Sequence, residues 1–325
     1  MAVTRTNTNM FLMGPNEMDN AIEAKAPRNI SCRGLTKFYG SARGVEGIDL
    51  TVSAGEIFGF LGPNGAGKTT TIRMLMGLLR PSAGSAAILG MDVWKEQVAI
   101  KRRVGNIQGD VRLYDQMHVH ELLDYVDRFR PGPDRLRAEL TRRLDLDTDR
   151  KIKALSRGNR QKVAIVMAMM HDPDILILDE PTLGLDPLVQ QVFYNILGEF
   201  RDRGKTVFLS SHILSEVERS CDRVGIVREG RLVDVRTIEQ LRQNKIRHMD
   251  VAFAEPVDIT EFSRLPQVTD VQQMNDRLRI TLRGDVDAVI KQLARYRVED
   301  LTFTQPSLED FFLSFYERPG GAGEL

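Results

Sequence analysis

Residues 62–69 read Gly62-Pro63-Asn64-Gly65-Ala66-Gly67-Lys68-Thr69, which fits the spacing G-x-x-x-x-G-K-[ST]. Small residues let a backbone curl until several N–H groups face one anion. Lys68 is placed to hold the β- and γ-phosphates of a nucleotide, and the Thr69 hydroxyl to hold Mg²⁺; Thr70 continues the same turn. Asp179 and Glu180 end the apolar run Ile175-Leu176-Ile177-Leu178. Carboxylates ending a buried strand are costly unless they bind something. Asp179 suits the Mg²⁺ shell. Glu180 suits the polarisation of a water for attack on a γ-phosphate. Thr206–Ser210 reads as a buried strand followed by Ser211-His212, and His212 could donate to that phosphate or hold the water; alone it reads equally as a polar loop histidine. Gln108 follows Val104–Ile107, and its neutral amide can contact Mg²⁺ or the attacking water; alone it reads as a loop glutamine.

These groups need elements to hold them. Ile57–Leu61 is an apolar run of strand length. Ile72, Leu75 and Leu79 recur at helical spacing, and Pro81 is expected to stop that helix. The glycine-rich loop therefore lies between a buried strand and a helix N-terminus, whose partial positive charge favours an anion. Open α/β sheets bind ligands at the carboxyl ends of their strands, where Asp179 and Glu180 stand. Leu155-Ser156-Arg157-Gly158-Asn159-Arg160-Gln161-Lys162 opens a further helix, with Ser156 suited to the N-cap. Such a serine-glycine turn can also present a hydroxyl and N–H groups to an anion.

The totals bound the class. A chain of 325 residues suggests more than one domain. Hydrophobic content of 42% and charged content of 28% describe a globular protein. A formal net charge of zero argues against a nucleic-acid surface. Two cysteines, Cys32 and Cys221, imply a reducing compartment and no disulfide framework. No apolar run approaches the ~18 residues of a membrane span, and no secretory signal is visible.

Along the chain, residues 1–28 are polar and read as a flexible leader. Strands are expected at Ile30–Tyr39 and Val45–Val52. Tyr39 could stack on a nucleotide base; alone it reads as an edge or core aromatic. Ala86–Leu89 reads as a strand and Trp94–Arg103 as a helix. A helical insertion spans about 112–172, with one face at Leu122, Leu123, Val126 and Phe129 and another at Leu136, Leu140 and Leu144. Met167, Met169 and Met170 read as core packing. Asp222–Val227 and Arg231–Val235 form a hairpin about Glu229-Gly230. Residues 245–318 then follow the order β-α-β-β-α-β, a ferredoxin-like arrangement. An aromatic helix at Ser307–Glu317 closes that domain, before a loose tail at 319–325.

Tyr39, the glycine-rich loop, Gln108, Leu155–Asn159, Ile175–Glu180 and Ser210–His212 stand in one order. Together they resemble the ATP-binding cassette family, the nucleotide-binding subunits of membrane transporters, over about residues 29–240. The resemblance implies a P-loop NTPase core with a β subdomain and the helical insertion. It implies Tyr39 as the base-stacking aromatic and Gly62–Thr69 as the Walker A loop. Gln108 is then the glutamine that touches metal and transporter, and Leu155–Asn159 the family signature. Leu183-Gly184-Leu185-Asp186 corresponds to the D-loop, Glu180 to the catalytic base and His212 to the switch histidine. The usual signature Leu-Ser-Gly-Gly-Gln here reads Leu-Ser-Arg-Gly-Asn, which keeps Ser156 and Gly158. That variant, the following Gln161-Lys162 and the extra carboxyl-terminal domain resemble a bacterial branch serving drug- and antibiotic-type exporters.

The resemblance further implies ATP and Mg²⁺ as cofactors, with Thr69, Gln108 and Asp179 around the metal. It implies a second ATPase subunit, in a homodimer or with a close relative. Ser156 and Gly158 of one subunit would close on the triphosphate held by the other. Separate multi-span permease subunits would anchor the pair at the cytoplasmic face of the membrane. The alternative is a soluble cassette ATPase acting on a ribosome or nucleic acid. Such proteins carry paired cassettes or a long coiled coil, and this sequence has neither. A kinase or GTPase reading lacks the guanine-reading Asn-Lys-x-Asp loop and leaves the signature unexplained.

Overall fold

A computed structural model of the protein describes residues 28–243, 246–255, 257–274 and 276–304. The leader over 1–27, the aromatic helix at Ser307–Glu317, the tail and Asn275 lie outside these residues. Arg28, placed in the leader from sequence, opens the first strand. Contacts divide the chain into one unit ending at Val235 and another beginning at Arg236.

The amino-terminal unit begins with β1 (Arg28–Tyr39) and β2 (Ala42–Ser53), an antiparallel pair. Ile30, Cys32 and Leu35 of β1 and Val45, Ile48, Leu50 and Val52 of β2 are buried, with a register shift between Cys32 and Leu35 resetting the alternation. Next come β3 (Ile57–Leu61) and α1 (Lys68–Leu75). The sequence placed the end of α1 at Pro81, but Gly77 ends it earlier. Gly77 takes φ 63, its N–H bonds to the Met74 carbonyl at 3.0 Å, and Leu78 N–H bonds to that of Arg73 at 2.8 Å. That pair of bonds is a Schellman cap.

β4 (Ala83–Ile88) and β5 (Met91–Asp92) complete a four-stranded sheet ordered β2-β1-β4-β5. α2 spans Gln97–Arg103 and starts later than Trp94. The Asp92 carboxylate accepts the N–H groups of Trp94 and Lys95 at 2.9 and 3.0 Å, which holds that stretch out of the helix.

β6 (Val104–Ile107) leads into the insertion: α3 (Val119–Asp127), α4 (Asp134–Arg143) and α5 (Arg157–Met169). Leu122 and Leu123 of α3 are buried, as are Leu140 of α4 and Leu144 just beyond it. Phe129 departs from its expected buried face. It lies past the end of α3, is 69% exposed and meets the Tyr125 ring edge-on at 5.1 Å. Met169 and Met170 are buried, whereas Met167 is half-buried beside a groove.

The chain returns through β7 (Ile175–Asp179), α6 (Pro187–Asp202), β8 (Thr206–Ser211), α7 (Leu214–Ser220), β9 (Arg223–Arg228) and β10 (Arg231–Thr237). The second sheet is ordered β10-β9-β3-β8-β7-β6, with parallel pairing from β9 to β6. Every residue of β3, β7 and β8 is buried. Strands covered on both faces favour apolar runs such as Ile175–Leu178, and the buried polar groups at the end of β8 are bonded, Ser210 to Asp179 and Ser211 to Glu216. Phe58 stacks on Phe208 at 5.8 Å, and Phe60 meets the same ring at 5.4 Å.

α8 (Ile238–Gln243) precedes the carboxyl-terminal fold of β11 (Ile246–Phe253), α9 (Ile259–Ser263), β12 (Val268–Met274), β13 (Arg277–Arg283), α10 (Asp287–Leu293) and β14 (Val298–Thr304). Its sheet is antiparallel and ordered β12-β13-β11-β14, the expected ferredoxin-like arrangement. Met249, Val251, Phe262, Leu278, Ile280, Leu282, Val289 and Leu293 form its core. Arg279 makes a two-point pair with Asp250 at 2.7 and 2.9 Å, which holds that carboxyl below its ordinary range.

Candidate functional site

The parallel register sets the site. Leu61 pairs with Ser211, Asp179 with Ser210, and Ile107 with Leu178. One residue further along each strand stand Gly62, His212, Glu180 and Gln108, so four predicted groups share one carboxyl edge of the sheet.

The glycine-rich loop leaves β3 tightly folded. Ala66 N–H bonds to the Pro63 carbonyl at 3.2 Å, and Gly67 takes φ 103. A Cβ at Gly67 would lie 2.4 Å from Val45 Cγ1 and 2.8 Å from the Gly44 carbonyl oxygen, so this position admits only glycine. No side chain caps α1 at Gly67, which leaves its first amides facing the loop. Lys68 is 5% exposed and donates to the Gly62 and Pro63 carbonyls at 2.7 and 3.1 Å. Its Nζ also stands 3.2 Å from Glu180 Oε1. Tyr39, Arg43, Gly44, Pro63, Asn64, Gly65, Gly67, Lys68, Thr69, Thr70 and Glu180 line a cavity of about 270 Å³. Tyr39 is half exposed there, its hydroxyl 3.5 Å from that of Thr70. Gly62 and Ala66 form the loop's inner wall. Lys68 bonds to the Gly62 carbonyl, and Gly230 N–H bonds to that of Ala66 at 3.0 Å.

The acids sit directly behind. Asp179, 2% exposed, accepts Thr69 Oγ1 at 2.7 Å and Ser210 Oγ at 2.6 Å. Thr69 and Asp179 therefore present two hard oxygen donors at one point, a set suited to Mg²⁺. Glu180 takes φ 49, rare for a residue with a Cβ, and its Oε2 stands 2.8 Å from His212 Nδ1. Gly109 backs Asp179 so closely that a Cβ there would lie 3.1 Å from Oδ2. Gln108 itself is exposed and lines a larger groove of about 480 Å³ with Arg73, Asn106, Asp110, Arg112 and Met167.

Ser156, Gly158 and Asp186 lie elsewhere and do not line the phosphate-loop cavity. Ser156 caps α5 by accepting Asn159 N–H at 3.3 Å, and Asp186 caps α6 by accepting Val189 N–H at 3.0 Å. A Cβ at Gly158 would stand 2.6 Å from the Gly184 carbonyl oxygen, and the Arg157 side chain covers Gly184. The serine-glycine turn and the Leu183–Asp186 loop thus form a second cluster.

Several supporting groups were given no site role by the sequence, Gln161 having entered only through the family resemblance. Gln161 of α5 donates to the Pro181 carbonyl at 2.7 Å. Glu216 of α7 accepts hydroxyls from Thr182 and Ser211, both at 2.6 Å. Arg43 and Gly44 line the cavity from the start of β2. Their types and spacing match no chemical motif; only the fold brings them in.

Residues 45–183 match the family model described as ABC transporter. The chain is 34% identical over 291 residues to the uncharacterized ABC transporter ATP-binding protein YhcH of Bacillus subtilis (strain 168), covering 87% of this chain and 94% of that protein. It is 33% identical over 300 residues to the daunorubicin resistance ATP-binding protein DrrA3 of Streptomyces coeruleorubidus, with 87% and 94% covered. A solved structure of the ATP-binding subunit of an ABC transporter superposes with a TM-score of 0.61 at 30% identity, covering 66% of this chain and 91% of that one. The chain belongs to the ATP-binding subunits of ABC transporters, and it is an ATPase. Among the described residues, no helix is long and apolar enough to cross a membrane.

Proposed function

We propose that two copies of this chain close on two ATP molecules and drive export through separate membrane-spanning subunits. The observation that carries this reading is the split site. The cavity around Lys68 has the phosphate loop, Thr69, Glu180 and, through Glu180, His212, yet Ser156 and Gly158 face elsewhere. A second copy supplies what the first lacks.

In this mechanism the loop amides and Lys68 take the phosphates, and Tyr39 stacks on the base. Mg²⁺ would be held by Thr69 and Asp179, with Gln108 alongside, and would neutralise phosphate charge. Glu180 accepts the proton of the attacking water, and His212 fixes the orientation of Glu180. Ser156 and Gly158 of the partner, followed by Asp186, exclude bulk water as the two copies close. Hydrolysis removes the γ-phosphate they grip, and the dimer opens.

The permease is proposed to seat in the groove at Gln108. Exposed Tyr114, Tyr125 and Phe129 are linked ring to ring beside it, at 6.2 and 5.1 Å. An aromatic patch of this kind marks a protein contact. That contact would hold the chain at the cytoplasmic face of the membrane. The resistance named for DrrA3 supports the outward direction.

Glu180→Gln tests the reading. It should bind ATP, turn over about 10²- to 10⁴-fold more slowly, and run as a dimer with ATP and a monomer without. Rapid turnover would remove Glu180 as base, and a monomer with ATP bound would remove the shared site.

A further inference from the structure

We infer that Glu216 is a positioning residue for ATP hydrolysis: its buried carboxylate ties the chain leaving β7 to the chain leaving β8, and so fixes Glu180 against His212. This rests on the proposed roles of Glu180 and His212.

Glu216 lies on α7 and is 6% exposed. Its Oε1 accepts Thr182 Oγ1, and its Oε2 accepts Ser211 Oγ, each at 2.6 Å. Thr182 lies just beyond Glu180, and Ser211 directly precedes His212. Ser211 Oγ also accepts Ile213 N–H at 2.9 Å, which pins the backbone on the far side of His212. Pro181, between Glu180 and Thr182, has its carbonyl held by Gln161. The loop after Glu180 is thus fixed from α5 on one side and from α7 on the other.

The two strand ends also meet through the main chain, where Glu180 N–H bonds to the Ser210 carbonyl at 3.2 Å. That contact leaves side-chain direction undetermined. Glu180 occupies a left-handed backbone conformation, φ 49. Such a conformation persists only where its surroundings enforce it. The Glu216 bridge is one such constraint, and it sits one shell behind the reacting groups. The Tyr194 phenol of α6 is buried beside the same carboxylate, and burial and that charge push its pKa up. Glu216, Thr182 and Ser211 are all buried, so the bridge is sealed from water, where its bonds are strongest.

Glu216→Ala should lower kcat about 10- to 100-fold with KM for ATP within about threefold, because displacement by about 1 Å at reacting groups costs that much. Glu216→Gln should recover most of the loss, since its amide can bond to both hydroxyls. In a His212→Ala background, Glu216→Ala should cost no more than about threefold further, the non-additivity expected of groups acting as a unit. If Glu216→Ala does not fold, the pair Thr182→Val and Ser211→Ala cuts the same bridge and should give the same kcat loss. Full kcat in every bridge-cut variant overturns the proposal. So does a purely additive loss in the His212→Ala background, or a Glu216→Gln variant no better than alanine. Wild-type turnover in His212→Ala or Glu180→Gln would instead overturn the assignment of the pair itself.

Discussion

At the residue scale, Lys68 is the pivot of the site. Its ammonium donates to the Gly62 and Pro63 carbonyls and stands in ion-pair contact with the Glu180 carboxylate. In the proposed mechanism a phosphate reaching Nζ would compete with these partners, which would link nucleotide binding to the release of Glu180 toward water. The cradle also depends on Gly67. Gly67→Ala combines a φ of 103 with a Cβ 2.4 Å from Val45 Cγ1. We expect it to lose at least about 2 kcal/mol of stability, read as a lower denaturation midpoint, and to weaken ATP binding. An unchanged midpoint would mean that the loop can shift away from β2. Gly67 and Lys68 could be proposed from sequence because the phosphate geometry imposes fixed spacing, and Asp179 because it ends an apolar run. Glu216 could not, because its partners Thr182 and Ser211 come from two other loops and no spacing rule links the three.

At the element scale, strands were read more easily than helix ends. β3, β7 and β8 are buried on both faces, and that demand writes itself as short apolar runs, Ile57–Leu61, Ile175–Leu178 and Val207–Leu209. Helix ends depend on single bonds. Gly77 stops α1 ahead of Pro81 through backbone bonds, and Asp92 delays α2 through its carboxylate, neither of which periodicity can show. The stretch after α5 carries a titratable group of similar kind. His171 has its pKa lowered from 6.5 to about 4, first by burial and then by the Arg130 charge, with nearby Asp172 opposing. The folded value lies below the unfolded one, so the unfolded chain takes up the proton first as pH falls. The contribution of His171 is complete above about pH 6.5 and is lost on descent toward about pH 4. Urea titrations across that window should show wild-type stability falling and a His171→Leu variant falling less steeply. Parallel slopes would mean that His171 is protonated in the folded protein as readily as in the unfolded one.

At the scale of the whole molecule, the proposed mechanism rests on one chain carrying two unlike halves of a site. The half at Lys68 was proposed from spacing and its separation from Ser156 and Gly158 from the family resemblance; the fold adds that Ser156 and Gly158 do not line the cavity at Lys68. This arrangement makes a demand that a self-contained site does not. Lys68→Ala damages the phosphate half and leaves the serine-glycine half intact; Ser156→Asp does the reverse by setting a carboxylate against the triphosphate. Each variant alone should be inactive, because both sites of its dimer lack one half. In a mixed dimer, one site inherits both defects and the other inherits neither. Equal mixing by chance yields half mixed dimers with one sound site each, so activity should return to about a quarter of the wild-type value per chain. The measurement is ATP turnover at constant total protein as the two variants are titrated against each other. Recovery peaking at equal proportions requires a site built across two copies. Turnover that stays flat across the titration would confine each site to a single chain, and Ser156 would then be no more than the cap of α5.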